Sequence, residues 1–242
     1  MLSENGMNDL AYHLLMEKGY PGWLYEVLMG ATTVWERWNS VEPNGKISGT
    51  EMNSLNHYSY GSIVEWMFRN MAGINPCEEG AGFKKFRIAP MPNYRIGSCS
   101  AKLRAASGTI ESGWKIDGKC LRFRFVVPFD TEAEIVLPDA LVDVIRSQAG
   151  ELLEDGDVKG SGRPKDTEEG CRAQGMEKIR QEGTNVVLLA CAGIYEFCYE
   201  PTTPYRKTYS LDSPWEELKA DPKAWAVLEK EYKPGRIPFE KE

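Results

Sequence analysis

The sequence is poor in histidine and has no closely paired cysteines. His13 and His57 are the only histidines among its 242 residues, and its six cysteines include no C-x-x-C pair. This scarcity of ligands argues against a zinc site, and we expect neither a metal nor a cofactor. Scattered cysteines in a chain of this length favour free, mostly buried thiols in a reducing compartment, which predicts a cytoplasmic location.

Long apolar runs and basic clusters are also missing. No stretch of about 18 apolar residues occurs, and residues 1–6 are polar, so they lack the apolar segment of a signal peptide. The formal charge is −7, from 29 basic and 36 acidic side chains. An acidic chain without a Lys/Arg cluster is a poor partner for a nucleic-acid backbone. We therefore expect neither a membrane nor a nucleic acid as a partner.

The first part of the chain has helical periodicity. Apolar residues recur at helical spacing in residues 7–18 and 59–71, and Pro21 suits the first turn of a helix between them. Residues 41–53 are rich in Pro, Gly and Asn, which predicts a loop. Gly73 is a natural helix stop.

After residue 80 the apolar residues alternate with polar ones, which is typical of strands with one buried face. Asp117-Gly118 is the strongest hairpin signal in the chain. Several short strands with turns between them predict an antiparallel sandwich, and the charged, glycine-rich residues 150–175 predict a long mobile excursion. The predicted strands are 83–88, 109–116, 119–126, 131–137, 185–189 and 194–199.

The tail returns to helix signals. Ser213-Pro214 and Asp221-Pro222 each combine a capping residue with a proline suited to a first turn. They predict two short helices after residue 205.

One carboxylate lies between two indoles, in Trp35-Glu36-Arg37-Trp38, and His57 follows in Asn56-His57-Tyr58. Aromatic faces pack against the C–H patch of a pyranose ring, while carboxylate and imidazole groups take its hydroxyls. The combination favours carbohydrate chemistry. The alternative from these residues alone is a solvated helix charge beside core indoles, with a hydrogen-bonded loop histidine.

Three segments resemble one known family. They are residues 30–38 (GATTVWERW), residues 54–62 (SLNHYSYGS) and Ile88-Ala89-Pro90. In this order they resemble the C-terminal part of the α-L-rhamnosidases, glycoside hydrolase family 78, from near residue 10 to about residue 137. Asn39 stands where that family often has Asp, and Cys191-Ala192-Gly193 replaces its Gly-Ser-Gly.

The resemblance implies an α+β multidomain fold. Residues 1–80 would be the last helices of an (α/α)6 catalytic barrel, residues 81–204 a β-sandwich, and residues 205–242 a helical tail. It also implies that the chain belongs to an enzyme that hydrolyses terminal α-L-rhamnosyl residues of glycosides with inversion. Its partners would be L-rhamnose-containing glycosides.

The same resemblance implies roles for individual residues. Glu36 would be the general base. His57 would contact the sugar, and Trp35 and Trp38 would line or buttress the pocket. Arg37 and Asn56 complete the expected substrate-binding set, with Arg37 or His57 helping to keep Glu36 ionised.

An inverting hydrolase needs a second carboxyl group as general acid. The upstream candidates Glu4, Asp9, Glu17 and Glu26 match no acid motif, and Glu51 is the fallback carboxylate. We therefore expect a C-terminal part of a larger enzyme, weak or inactive alone, with exposed barrel-helix faces that promote association. Seven residues are expected on those faces: Trp23, Leu24, Val27, Ile63, Val64, Met67 and Phe68.

Two alternatives stay open. The first is a non-catalytic sandwich module that binds carbohydrate or braces the barrel. The second is another (α/α)6 carbohydrate enzyme, such as a phosphorylase or lyase, because a fold alone does not fix chemistry.

Overall fold

The computed structural model describes residues 1–49, 51–146, 179–209, 213 and 215–231. The excursion predicted at 150–175 lies outside these residues. The chain divides into two units, Met1–Tyr205 and Arg206–Glu242. The predicted helical part and sandwich both fall in the first unit, and the boundary expected between them near residue 80 stays a prediction.

Short helices form the first part of the chain, as predicted. They are α1 (Asn8–Met16), α2 (Trp23–Leu28) and α3 (Ile63–Trp66), with 3-10 turns at Ser3–Asn5 and Ser59–Ser62 and a π turn at Met67–Met71. The buried side of α1 carries Tyr12 and Leu15. Leu10 and Leu14, which share the apolar periodicity, are each 44% exposed.

The described residues form nine strands in two sheets, of order β1-β2-β6-β8-β7 and β3-β4-β5-β9. All pairs are antiparallel except β2 with β6, which run parallel. The predicted antiparallel sandwich is confirmed, with one parallel pair that the prediction did not include. The strands are β1 (Ile74–Pro76), β2 (Lys85–Ile88), β3 (Ser98–Ala105), β4 (Gly108–Asp117), β5 (Cys120–Val127), β6 (Glu132–Leu137), β7 (Arg180–Glu182), β8 (Asn185–Ala190) and β9 (Gly193–Tyr199).

Alternation decides which strand faces are buried. In β5, Phe123 and Phe125 are buried while Arg122 and Arg124 are exposed, as the sequence predicts. The turn before β5 uses Gly118 at φ +62°, a conformation that favours glycine. Buried residues from both sheets join in one apolar cluster, so the core lies where the two inner faces meet.

Hydrogen bonds join the helical part to the sandwich. The Trp114 indole donates to the Met71 carbonyl at 2.7 Å, and the Ser112 hydroxyl donates to the Ala72 carbonyl at 2.5 Å. Tyr12 donates to the Met91 carbonyl at 2.8 Å. At Gly73, with φ +80°, a Cβ atom would lie 2.1 Å from the Pro90 nitrogen, so only glycine fits this joint.

Part of the expected apolar surface is covered. Trp23, Ile63, Met67 and Phe68 pack against the core cluster rather than standing open. Val27 and Val64 remain 62% and 48% exposed.

In the second unit, α4 (Trp215–Ala220) and α5 (Pro222–Glu231) are the two predicted helices. The Asp221 carboxylate accepts the amides of Lys223 at 3.0 Å and Ala224 at 3.3 Å, which caps α5. Trp215 and Trp225 meet edge to face.

Two further expectations concern cysteines and membranes. Cys77, Cys99 and Cys120 carry free, half-buried thiols. The expectation of free thiols is wrong for Cys191, which is disulfide-bonded. Among the described residues, no helix combines the length and the apolar character that a bilayer crossing requires.

Candidate active site

The two sequence motifs lie side by side and are joined by backbone hydrogen bonds. The Glu36 amide donates to the Ser54 carbonyl at 2.9 Å, and the His57 amide donates to the Val34 carbonyl at 2.7 Å. The Thr33 hydroxyl donates to the Leu55 carbonyl at the other end of the pair. This pairing brings Glu36 and His57 onto neighbouring segments although 20 residues separate them in the sequence.

A small hairpin makes this return possible. Within the predicted loop 41–53, Val41 and Ile47 form an antiparallel bridge, and the Ser48 amide donates to the Ser40 carbonyl at 3.0 Å. The Asn53 side chain donates to both of these serines' carbonyls, at 2.7 Å to Ser48 and 3.2 Å to Ser40. The loop is thereby closed just before residue 54.

The Glu36 carboxylate is half-buried and anchored at one oxygen. Its Oε2 atom accepts the Ser54 amide at 2.7 Å. Among the described residues no group donates a hydrogen bond to its other oxygen. A carboxylate held at one oxygen and open at the other is suited to take a proton from a water molecule.

The His57 ring is oriented by its own turn. Its Nδ1 atom accepts the Ser59 amide at 3.3 Å, so the neutral ring carries its proton on Nε2 and donates from there. The ring stacks on Tyr58, with centroids 5.1 Å apart and planes 15° from parallel. His57 can therefore offer one directed hydrogen bond to a hydroxyl group.

The aromatic neighbours of Glu36 differ in what they can do. Trp35 is 3% exposed, so it buttresses the loop and presents no face to a ligand. Trp38 is half-buried and stacks on Tyr60 at 3.9 Å between centroids. Trp23 meets Trp38 edge to face and donates its indole N–H to the Tyr60 carbonyl at 3.0 Å. Together these rings form an aromatic cluster beside the Glu36 segment.

Arg37 and Asn56 lie at the exposed margin of the pair. The Arg37 guanidinium donates to the Glu51 carbonyl at 3.0 Å and forms no ion pair with Glu36 among the described residues. Asn56 is exposed, and its amide donates to the Ser54 hydroxyl at 3.1 Å. Asn39 donates to the Ser48 hydroxyl at 3.4 Å, so it belongs to the hairpin.

Sequence reasoning considered Glu26 as a candidate acid and missed its position. Glu26 lies on α2 and is 4% exposed. Its Oε2 atom accepts the Trp35 amide at 3.3 Å, and its Oε1 atom is buried without a hydrogen-bond partner among the described residues. Burial raises the pKa of Glu26. One sequence signal could have indicated this burial: Glu26 is the only acid in the apolar run Trp23-Leu24-Tyr25-Glu26-Val27-Leu28.

The other upstream acids are engaged elsewhere. Glu4 pairs with the amino group of Met1, Asp9 with Arg95, and Glu17 accepts the Gly19 amide. No group of three or more potential metal-ligating side chains occurs within the described ranges.

Two family models match the chain. Residues 1–71 match the bacterial α-L-rhamnosidase 6-hairpin glycosidase domain, and residues 73–151 match the bacterial α-L-rhamnosidase C-terminal domain. Among curated proteins, an α-L-rhamnosidase of Formosa agariphila is 36% identical over 197 residues, which is 81% of this chain and 19% of that protein. An α-L-rhamnosidase of Streptomyces avermitilis is 37% identical over 158 residues, 64% of this chain and 15% of that protein.

Solved structures give the same result. The chain resembles the crystal structure of the Streptomyces avermitilis α-L-rhamnosidase complexed with L-rhamnose, with a TM-score of 0.64 and 30% identity over 82% of this chain and 16% of that one. It also resembles the Aspergillus terreus enzyme, with a TM-score of 0.58 and 28% identity over 81% of this chain and 18% of that one. The chain thus spans a fifth or less of the length of these relatives.

Proposed function

This chain belongs to the bacterial α-L-rhamnosidase family, and on that premise we propose that it is the C-terminal part of an inverting α-L-rhamnosidase. The enzyme hydrolyses terminal α-L-rhamnosyl residues of glycosides. This chain contributes the general base and part of the sugar site. The proposal is supported by the relatives' activity and by the geometry of Glu36.

The observation that carries the proposal is the asymmetric setting of the Glu36 carboxylate. Ser54 holds one oxygen at 2.7 Å, which fixes the direction of the other. That oxygen removes a proton from a water molecule, and the water attacks the anomeric carbon from the face opposite the leaving group. His57 donates from Nε2 to a hydroxyl of the same sugar ring.

The general acid comes from a part of the enzyme that this chain does not include. An inverting pair stands about 6.5–9.5 Å apart with a water between the carboxyl groups. Glu4, Asp9 and Glu17 are engaged away from Glu36, as described above, and Glu26 lies buried behind Trp35. Glu51, the fallback carboxylate, is exposed on the loop that precedes residue 54, and we propose that the isolated chain lacks the proton donor that an ordinary glycoside needs.

Two substrates with different leaving groups test whether this chain supplies the general base but not the general acid. A 2,4-dinitrophenyl α-L-rhamnoside has a leaving group that departs without a proton, whereas methyl α-L-rhamnoside requires one. We expect the full chain to cleave the first and not the second, and Glu36→Gln to abolish that cleavage. Equal cleavage of both substrates would place the acid within this chain. Undiminished cleavage by Glu36→Gln would remove Glu36 as the base.

A second role is favoured by the joint between the helices and the sandwich. Trp114 and Ser112 donate to the carbonyls of Met71 and Ala72, at the end of the π turn Met67–Met71. We propose that the sandwich also braces the helical part. A phosphorylase is less well supported, because Arg37, the basic group nearest to Glu36 in sequence, donates to a loop carbonyl.

A further inference from the structure

The peptide group between Val34 and Trp35, one residue before Glu36, is held from two sides. The Val34 carbonyl and the Glu36 amide both face the 54–57 segment. The Trp35 amide shares one trans peptide group with the Val34 carbonyl, and the C=O and N–H of such a group point in opposite directions, so the Trp35 amide faces away from that segment. On this opposite side lies α2, where the Glu26 carboxyl group accepts the Trp35 amide at 3.3 Å.

We propose that Glu26 is a positioning residue for Glu36, holding the Trp35 peptide from the side opposite Ser54. This inference rests on the proposed function, since the position of Glu36 matters for catalysis only if Glu36 is the base. Glu26 holds the turn at two points. Its backbone carbonyl accepts the Ala31 amide at 3.0 Å, and its side chain accepts the Trp35 amide four residues later.

Burying the Glu26 carboxyl group costs free energy of folding, and a residue with only a packing role would not need to meet this cost. The side chain is 4% exposed and one of its oxygens has no partner among the described residues. Burying a carboxyl group with unmet hydrogen-bonding capacity disfavours folding, and an apolar side chain in α2 avoids that cost. An apolar side chain, however, cannot accept a hydrogen bond from the Trp35 amide. Trp35 is 3% exposed, so its amide needs a partner within the protein.

The effect reaches Glu36 through the backbone of Trp35, the residue directly before it in the chain. Trp35 is packed in the interior, and its peptide leads directly into Glu36. Losing the Glu26 acceptor leaves a buried amide unpaired, so the segment must shift to satisfy it. A shift of this kind moves the free oxygen of Glu36 away from the line of attack on the anomeric carbon, and small misplacements of a reacting group are expensive in rate.

Two substitutions separate acceptor chemistry from packing. Glu26→Gln keeps a carbonyl oxygen at the same position, while Glu26→Met has a similar volume and no acceptor. Glu65→Met, at an exposed position on α3, serves as the matched control. Amide hydrogen exchange is measured by NMR at Trp35 and at Ser54, whose amide donates to the Glu36 carboxylate and so reports on its position.

In Glu26→Met we expect both amides to exchange about tenfold faster or more, with unchanged exchange in β4 and β5. Glu26→Gln and Glu65→Met should stay close to wild type. The inference is overturned if Glu26→Met protects both amides as wild type does, or if Glu26→Gln exchanges as fast as Glu26→Met. It is also overturned if the strands lose protection equally, since that shows a general packing role.

The effects on kcat and on KM are measured separately with 2,4-dinitrophenyl α-L-rhamnoside. We expect Glu26→Met to lower kcat about tenfold to a hundredfold with KM nearly unchanged, and Glu26→Gln to recover most of the loss. If the wild-type chain cleaves the substrate and Glu26→Met cleaves it equally well, the inference alone is wrong. If the wild-type chain does not cleave it, the proposed function fails, while the exchange measurement still decides whether Glu26 holds the Trp35 peptide.

Discussion

Ser112→Ala tests whether the sandwich braces the helical part of the chain. Ser112 is 1% exposed, and its hydroxyl donates to the Ala72 carbonyl at 2.5 Å. The substitution removes one oxygen and no apolar contact, so the main loss is the partner of a buried carbonyl. Leaving such a group unpaired costs about 1–3 kcal/mol.

That cost is large enough to measure. A small domain is stabilised by about 5–15 kcal/mol, and 1 kcal/mol shifts the melting temperature of a domain of 150–250 residues by about 2–4 °C. We therefore expect Ser112→Ala to lower the melting temperature of the first unit by about 2–12 °C. Ser100→Ala, on the exposed side of β3, is the matched control and should change stability by less than about 0.5 kcal/mol.

Residue-resolved hydrogen exchange shows where the stability is lost. If the joint couples the two parts, amides of α1 and amides of β4 and β5 lose the same free energy of opening in Ser112→Ala. A loss confined to the strands, with the helices fully protected, would refute the bracing role. So would a Ser112→Ala protein as stable as Ser100→Ala.

Three other predictions concern the loop, the aromatic cluster and a surface charge. Asn53→Ala should lower the free energy of unfolding by about 1–2 kcal/mol, because two loop carbonyls lose their donor; urea unfolding measures it. Trp38→Leu should weaken L-rhamnose binding, measured by calorimetry, because the stack on Tyr60 is lost. The hydrogen bond from Lys102, with that from Arg124, holds the pKa of Glu111 below its ordinary 4.5. This contribution to stability is present above that value and is lost as pH falls through the lower folded pKa. The stability difference between wild type and Glu111→Gln should therefore shrink in acid, as measured by urea unfolding at several pH values.

Local signals predicted the elements that they directly control. Asp117-Gly118 predicted the β4–β5 hairpin because its turn needs a residue that tolerates positive φ. Asp221-Pro222 predicted the start of α5 because the cap is formed by neighbouring residues. The predicted family and fold class are confirmed by the domain models and the solved structures.

Elements that depend on distant partners were not predicted. β3 is built on Ser, Cys, Ala and Leu with weak contrast between its faces, and it forms because β4 pairs with all of it. The parallel pairing of β2 and β6 depends on a long connection through the other sheet. No local pattern encodes either feature.

The candidate site also combines features that the sequence predicted with features that it did not. The resemblance to the family predicted that Glu36 and His57 belong to one site, whereas their spacing in the sequence does not predict it. The hairpin that closes residues 40–48, and Asn53 that ties it, explain how the two motifs become neighbours. Trp35 was expected to line or buttress the pocket; it is 3% exposed, and its buttressing role stays a prediction. Glu26 is connected with the candidate site through the hydrogen bond that its side chain accepts from the Trp35 amide, which no sequence pattern predicts.

The central claim is that Glu36 activates the water that attacks a terminal α-L-rhamnosyl unit. Its most direct test is the anomer of L-rhamnose first released from 2,4-dinitrophenyl α-L-rhamnoside, followed by proton NMR before mutarotation. We expect the β anomer from the wild-type chain and no release from Glu36→Gln. Initial release of the α anomer, or equal release from Glu36→Gln, would contradict it.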